Sequence, residues 1–263
     1  MPQPIFVVDA FAERPFAGNP AGVCLPGAPR EDAWMQSVAA EMRHAETAFL
    51  LREGAGWRLR WFTPATEVDL CGHATLASAH VLREQGLAKE AETIRFATRS
   101  GELRAVARED GVEIDLPLAP ATFCAAPTGL AEALGVVIVR FGTGAGYGVA
   151  EVASAADVRA AAPDFRRLAS IPPAGVAVTA RSDDARFDFV SRFFAPALGI
   201  DEDPVTGSAH CVLADWWSRA LGKTDLVAYQ ASARGGVVRV RAAGGRAILA
   251  GRAVTVLRGE LTA

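Results

Sequence analysis

An α+β protein built from two similar halves is what this sequence predicts, and three observations predict it. Short segments rich in Val, Ile, Phe and Leu come in runs instead of alternating one for one with helices. Only three stretches carry a clear helical pattern. A strand-loop-helix segment from the first half then returns in the second at a nearly constant offset.

In chain order, strands are expected at Ile5–Val8, Thr47–Leu51, Arg58–Phe62, Thr93–Ala97, Leu103–Ala107 and Val112–Leu116. The second half continues with Val136–Phe141, Val176–Thr179, Phe187–Phe194, Val237–Val240 and Ala253–Leu257. Helices are expected at Glu31–Arg43, Ala74–Gln85 and Ala209–Leu221, the last two closing near Gly86 and Gly222.

The repeat sets the domain organisation. Arg60-Trp-Phe-Thr-Pro64 returns as Arg192-Phe-Phe-Ala-Pro196, 132 positions on, and Gly72-His-Ala74 returns as Gly207-Ser-Ala209, 135 positions on. Small loop insertions account for the drift. An ancient duplication follows, with one domain over 1–117, a second over 118–251, and a C-terminal strand over 252–263 that can return to the first.

Composition narrows the function classes. Of 263 residues, 51% are hydrophobic and 22% charged, as expected of a chain with a packed core. A net charge of −3 with no block of Lys and Arg argues against a nucleic-acid partner. No apolar run reaches the roughly 18 residues of a membrane span, and the opening residues do not read as a signal peptide. A cytoplasmic protein with no membrane partner is expected. Cys24, Cys71, Cys124 and Cys211 are scattered and read as free thiols. His44, His73, His80 and His210 show no zinc-ligand spacing, so no metal is expected.

The chemistry is expected at the two helix starts. A helix N-terminus presents unpaired N–H groups and a partial positive charge, a seat for a carboxylate or oxyanion. Two such starts, at Gly72 and Gly207, facing across a domain cleft would clamp a small anion. His73 and Ser208 follow them directly, and Asp203 precedes the second in a compact polar turn. Thr66, Glu67 and Thr206 can instead be read as ordinary caps. Glu46 heads an apolar strand among small residues, where partial withdrawal from water suits a general base for a carbon acid. Gly142-Thr-Gly-Ala-Gly-Tyr-Gly148 lacks the dinucleotide spacing and reads as a flexible turn over the cleft.

Asp9-Ala-Phe11, Gly18-Asn-Pro20, Glu46-Thr-Ala-Phe49, Phe62-Thr-Pro64, Gly72-His-Ala74 and Glu202-Asp-Pro-Val-Thr-Gly-Ser-Ala209, in that order, resemble the signature series of the PhzF-like, or phenazine biosynthesis-like, isomerase family. The resemblance implies a diaminopimelate-epimerase-like fold: two pseudo-symmetric domains, each a curved, barrel-like, mostly antiparallel sheet around a central helix, often paired as a homodimer. It implies an isomerase without a cofactor that acts on a small carboxylated metabolite, with or without an amino group. It makes Glu46 the acid/base and places Gly72, His73, Asp203, Gly207 and Ser208 at the substrate.

Two departures leave rivals open. Related two-thiol epimerases carry one cysteine at each helix start, whereas here Cys71 stands opposite Thr206. The isomerase of phenazine synthesis carries alanine where Cys71 stands and serine where Ala45 stands, so its substrate is not implied. A one-base or Cys71-assisted epimerase is the nearer rival. A non-catalytic metabolite-binding protein on the same scaffold is the other.

Overall fold

A computed structural model describes residues 2–262. Its contacts divide the chain into two compact units, one running to Leu116 and resuming at Ala250, the other spanning Pro117–Leu249.

The first unit holds β1 (Gln3–Ala10), β2 (Asn19–Cys24), α1 (Asp32–Met42), β3 (Glu46–Glu53), β4 (Gly56–Phe62), β5 (Glu67–Val68), α2 (Gly72–Glu84), β6 (Thr93–Thr98), β7 (Gly101–Arg108) and β8 (Gly111–Pro117). The second holds β9 (Thr122–Phe123), α3 (Leu130–Leu134), β10 (Arg140–Gly144), β11 (Tyr147–Glu151), α4 (Ala155–Ala160), α5 (Phe165–Leu168), β12 (Gly175–Arg181), β13 (Phe189–Ala195), β14 (Ile200–Asp203), α6 (Gly207–Leu221), β15 (Asp225–Gln230), β16 (Gly236–Ala243) and β17 (Arg246–Gly251). The last strand, β18 (Ala253–Leu261), belongs to the first unit and pairs antiparallel with β1.

Pairing inside the two units follows one plan. In the first, β1 lies antiparallel between β18 and β2, β2 runs parallel to β3, β3 antiparallel to β4, and β4 takes β5 antiparallel and β6 parallel. In the second, β10 lies antiparallel between β9 and β11, β11 runs parallel to β12, β12 antiparallel to β13, and β13 takes β14 antiparallel and β15 parallel. Each sheet is therefore mostly antiparallel with the same two parallel joints. The repeat also extends to side chains. Arg60 forks onto Glu67 through 2.7 and 2.6 Å hydrogen bonds, and Arg192 forks onto Glu202 through 2.7 and 2.8 Å ones.

Burial explains the layering. Helix α2 is buried from Gly72 through Ala79 and again at Val81 and Leu82. A helix apolar on nearly all sides belongs inside a sheet, not upon it, and α2 touches β1, β2, β3, β7 and β18. Its Ala and Ser residues let the strands approach closely. Helix α1 covers the other face, setting Met35, Val38 and Ala39 against Ile5, Phe49 and Phe62. In the second unit α6 takes the central place, burying Trp216 and Trp217, the latter stacked on Phe189 at 5.6 Å. The short helices α3, α4 and α5 pack Leu134, Val158 and Leu168 on the opposite face.

The glycine-rich segment differs from the expected flexible turn. Gly142 and Gly144 lie in β10, and Gly148 lies in β11. A Cβ at Gly142 would stand 2.8 Å from the Trp216 ring, and one at Gly144 would stand 2.8 Å from Val212. These glycines are side-chain vacancies that admit α6. The strand expected at Val136–Phe141 begins only at Arg140, where the ladder to Glu151 starts.

Candidate active site

Glu46 reaches its place through a sharp helix stop. Arg43, left-handed at φ 54°, ends α1 and sends its N–H to Ala39 O. Three residues later the chain enters β3 at Glu46, whose parallel register opposes it to Ala21. The side chain is half-buried beneath the head of α2, and its Oε2 lies 3.3 Å from Nε2 of His73.

His73 is buried, and burial pushes its imidazole down to about 3, with the charge of nearby His44 acting in the same direction. At neutral pH the ring is uncharged, so its contact with Glu46 is a dipole against a carboxylate and not a salt bridge. The Nε2–Oε2 line is too poorly aligned for a finished hydrogen bond. Such contacts are often loose before substrate arrives. The opposite nitrogen, Nδ1, lies 3.5 Å from Cys71 Sγ and 3.3 Å from Asn19 Nδ2.

Glu46, Cys71 and His73 each bring one ligand-type atom within 4.8 Å of the others. These are donor types that zinc accepts. Cys71 and Glu46 lie nearest opposite nitrogens of the ring.

Both central helices begin without a side-chain cap. Cys71 occupies the N-cap of α2 and Thr206 that of α6, and neither caps its helix through its side chain. The short outer helices differ: Ser154 accepts from Asp157 N, and Asp164 accepts from Arg167 N. First-turn N–H groups on α2 and α6 thus remain available to an anion. The cap reading of Thr66 and Glu67 fails as well, because Glu67 is held by Arg60 and Arg99.

At the head of α6, Thr206 turns its hydroxyl away from the helix and donates to Asp203 Oδ2 at 2.5 Å. Buried Gln230 locks this turn: its Oε1 accepts from Thr206 N at 2.9 Å, and its Nε2 donates to Asp203 O at 2.7 Å. Ser208 Oγ lies 3.3 Å from Tyr147 OH. His210, four residues into the turn, reaches Thr206 O through Nδ1 at 2.8 Å, and burial lowers it to about 4. Gly207 opens the helix.

The first unit therefore gathers Glu46, Gly72 and His73, and the second gathers Asp203, Gly207 and Ser208. Sequence reasoning did not single out Tyr147 or Gln230. Tyr147 lies within the glycine-rich segment and could have been noticed there, whereas nothing about Gln230 in the sequence points to its role. A groove of about 1510 Å³ along Pro127, Val136 and Val139 contains none of the expected site residues. Among the described residues, no helix is long and apolar enough to cross a membrane.

All four cysteines are free; Cys24, Cys71 and Cys211 are buried and Cys124 is exposed. Burial pushes the Cys24 and Cys211 thiols up to about 12. A thiol reagent at neutral pH should therefore label Cys124 rapidly, and denaturation without reductant should expose four thiols. A count of two would reveal a bridge.

The phenazine biosynthesis-like protein family matches residues 8–259. A protein named uncharacterized isomerase from Halalkalibacterium halodurans is 46% identical over 99% of both chains. The crystal structure of a PhzF-family phenazine biosynthesis protein from Enterococcus faecalis is 39% identical, with a TM-score of 0.96 and complete coverage of both chains. A hydroxyproline epimerase from Agrobacterium vitis shares the fold at 15% identity, with a TM-score of 0.64 over 99% of this chain and 92% of that one.

Proposed function

Because the chain belongs to the phenazine biosynthesis-like (PhzF) family, we propose that it is an isomerase that moves a proton between carbons of a small carboxylated metabolite, with Glu46 as acid and base and no cofactor. One observation carries this reading: a half-buried carboxylate lies beside a neutral histidine at the head of an uncapped central helix. Glu46 removes a proton from the carbon next to the substrate carboxylate. The charge spreads onto the carboxylate oxygens, where first-turn N–H groups from Gly72 onward hold it. Where the substrate carries a C=C bond beside that carbon, the charge extends to the far end of the bond, and Glu46, now protonated, returns the proton there as the double bond shifts. In the second unit the proposal gives Asp203, Gly207 and Ser208 substrate-holding roles.

The same geometry weighs against a Glu46–Cys71 epimerase. Two bases on opposite faces of one carbon, each about 3–3.5 Å from it, stand roughly 6–7 Å apart. The Glu46 and Cys71 atoms lie within 4.8 Å of each other. They address one face, which favours a shift along the carbon skeleton over inversion.

Incubation of the protein with a small-molecule extract in D₂O, followed by mass spectrometry, tests the reading. A carboxylic acid should gain deuterium and convert to an isomer of different retention time. A metabolite that co-purifies with the protein but neither exchanges nor converts would make the chain a binding protein instead.

A further inference from the structure

We propose that Asn19 is a positioning residue for this chemistry, its side-chain amide holding His73 in the Nε2-protonated tautomer that donates toward Glu46. The inference rests on the reading of Glu46 as acid and base, yet its first test needs no substrate.

Backbone geometry places Asn19. Gly18 is left-handed at φ 64°, and a Cβ there would lie 2.1 Å from Ala10 O, so the turn from β1 into β2 requires glycine. Asn19 then opens β2, opposite Ala10 in the ladder, and is fully buried. Side chains two apart share a face of a strand. Asn19 thus lies on the face of Ala21, the residue paired with Glu46, and looks onto the head of α2.

The proton on His73 follows from its neighbours. A neutral imidazole has one donor and one acceptor nitrogen. Nδ1 faces the Asn19 amide nitrogen at 3.3 Å and the Cys71 thiol at 3.5 Å, both donors. Nε2 faces a Glu46 carboxylate oxygen at 3.3 Å, an acceptor when ionised. All three neighbours agree on a bare Nδ1 and a protonated Nε2. Nothing else in the ring would fix this choice, since burial sets only its charge. With its N–H on the nitrogen 3.3 Å from Glu46 Oε2, the histidine can complete a hydrogen bond to that oxygen by a small adjustment, leaving the other oxygen for the carbon acid. The reverse tautomer would set a lone pair against the carboxylate and push Glu46 away from the place where it meets the carbon acid.

Nitrogen-15 spectra of protein labelled at histidine test this directly, with the His73 signals identified by their loss in His73→Gln. At neutral pH the wild-type ring should show a protonated Nε2 and a bare Nδ1. Asn19→Asp keeps the size of the side chain but replaces the donor with an acceptor, so a proton should appear on Nδ1. In the deuterium assay kcat should fall by about tenfold or more with KM little changed, because the tautomer acts on the proton transfer and not on substrate contacts. A wild-type ring protonated on Nδ1 would overturn the proposal without any variant, as would Asn19→Asp leaving both nitrogen signals unmoved. Full exchange activity in Glu46→Gln would instead defeat the proposed function and leave the tautomer assignment intact.

Discussion

Glu46→Gln should bind substrate nearly as well as the wild type while turning it over roughly 10² to 10⁴ times more slowly, the usual worth of a positioned acid or base. The amide keeps the length of the side chain and its place at the head of β3, but it cannot accept a proton. The uncapped first turn of α2 still faces the anion, so the ground state loses little. Loss confined to the transition state lowers kcat and kcat/KM alike. Isothermal titration with the substrate found in the exchange screen, together with steady-state rates, separates the two effects. Cys71→Ala provides the contrast and should retain most activity. Full activity in Glu46→Gln with a dead Cys71→Ala would transfer proton transfer to the thiol.

Acid should destabilise the fold well before its carboxylates titrate. His73 and His210 are both buried and lowered, to about 3 and about 4, from an ordinary value of 6.5. Below about pH 6.5 the unfolded chain takes up a proton at each imidazole that the native chain refuses. Stability therefore falls as pH falls, by roughly 1.4 kcal/mol per pH unit for each histidine. The slope flattens near pH 4 and below, where the native rings begin to titrate. Partly buried His80 is lowered too and adds in the same sense. Surface carboxylates act elsewhere: Asp184, held down to about 2 by Arg186, gives up its contribution only below its ordinary 3.8. Thermal melts between pH 7 and 4.5 should show a steep fall in Tm, and His210→Gln should make it shallower. A flat profile across that range would mean that neither ring is buried and neutral in solution.

Much of the fold was legible because its strongest signals are local. The pattern of β7 and β8 and the glycines that end α2 and α6 are written in short windows, and the three long helices lie within two residues of their expected bounds. Strand β2 escaped notice because Asn19-Pro-Ala-Gly reads as a turn. Its pairing comes from β1 and β3, which no short window contains. Helices α4 and α5 have six and four residues, too few for a period, and stand on the Ser154 and Asp164 caps. Val136 to Val139 looked like strand, yet Val137 is 82% and Val139 63% exposed. An apolar β-branched run does not make a ladder where no partner strand is offered. The glycines of β10 looked like flexibility because Trp216 and Val212, which exclude side chains there, are far away in sequence. The candidate site divides similarly. Glu46 and His73 stood out by position, but their 3.3 Å approach and the part of Asn19 depend on a strand register and a helix start meeting in space.

The first unit cannot finish itself. Its β1 waits for β18, the strand translated after every other element of both units. On the ribosome, β1 spends the interval until β18 emerges with one row of backbone N–H and C=O groups unclaimed, the kind of edge that invites pairing with other chains. The second unit has its counterpart strand, β9, just before β10, and can close as soon as it is made. The half that is translated first is therefore completed last.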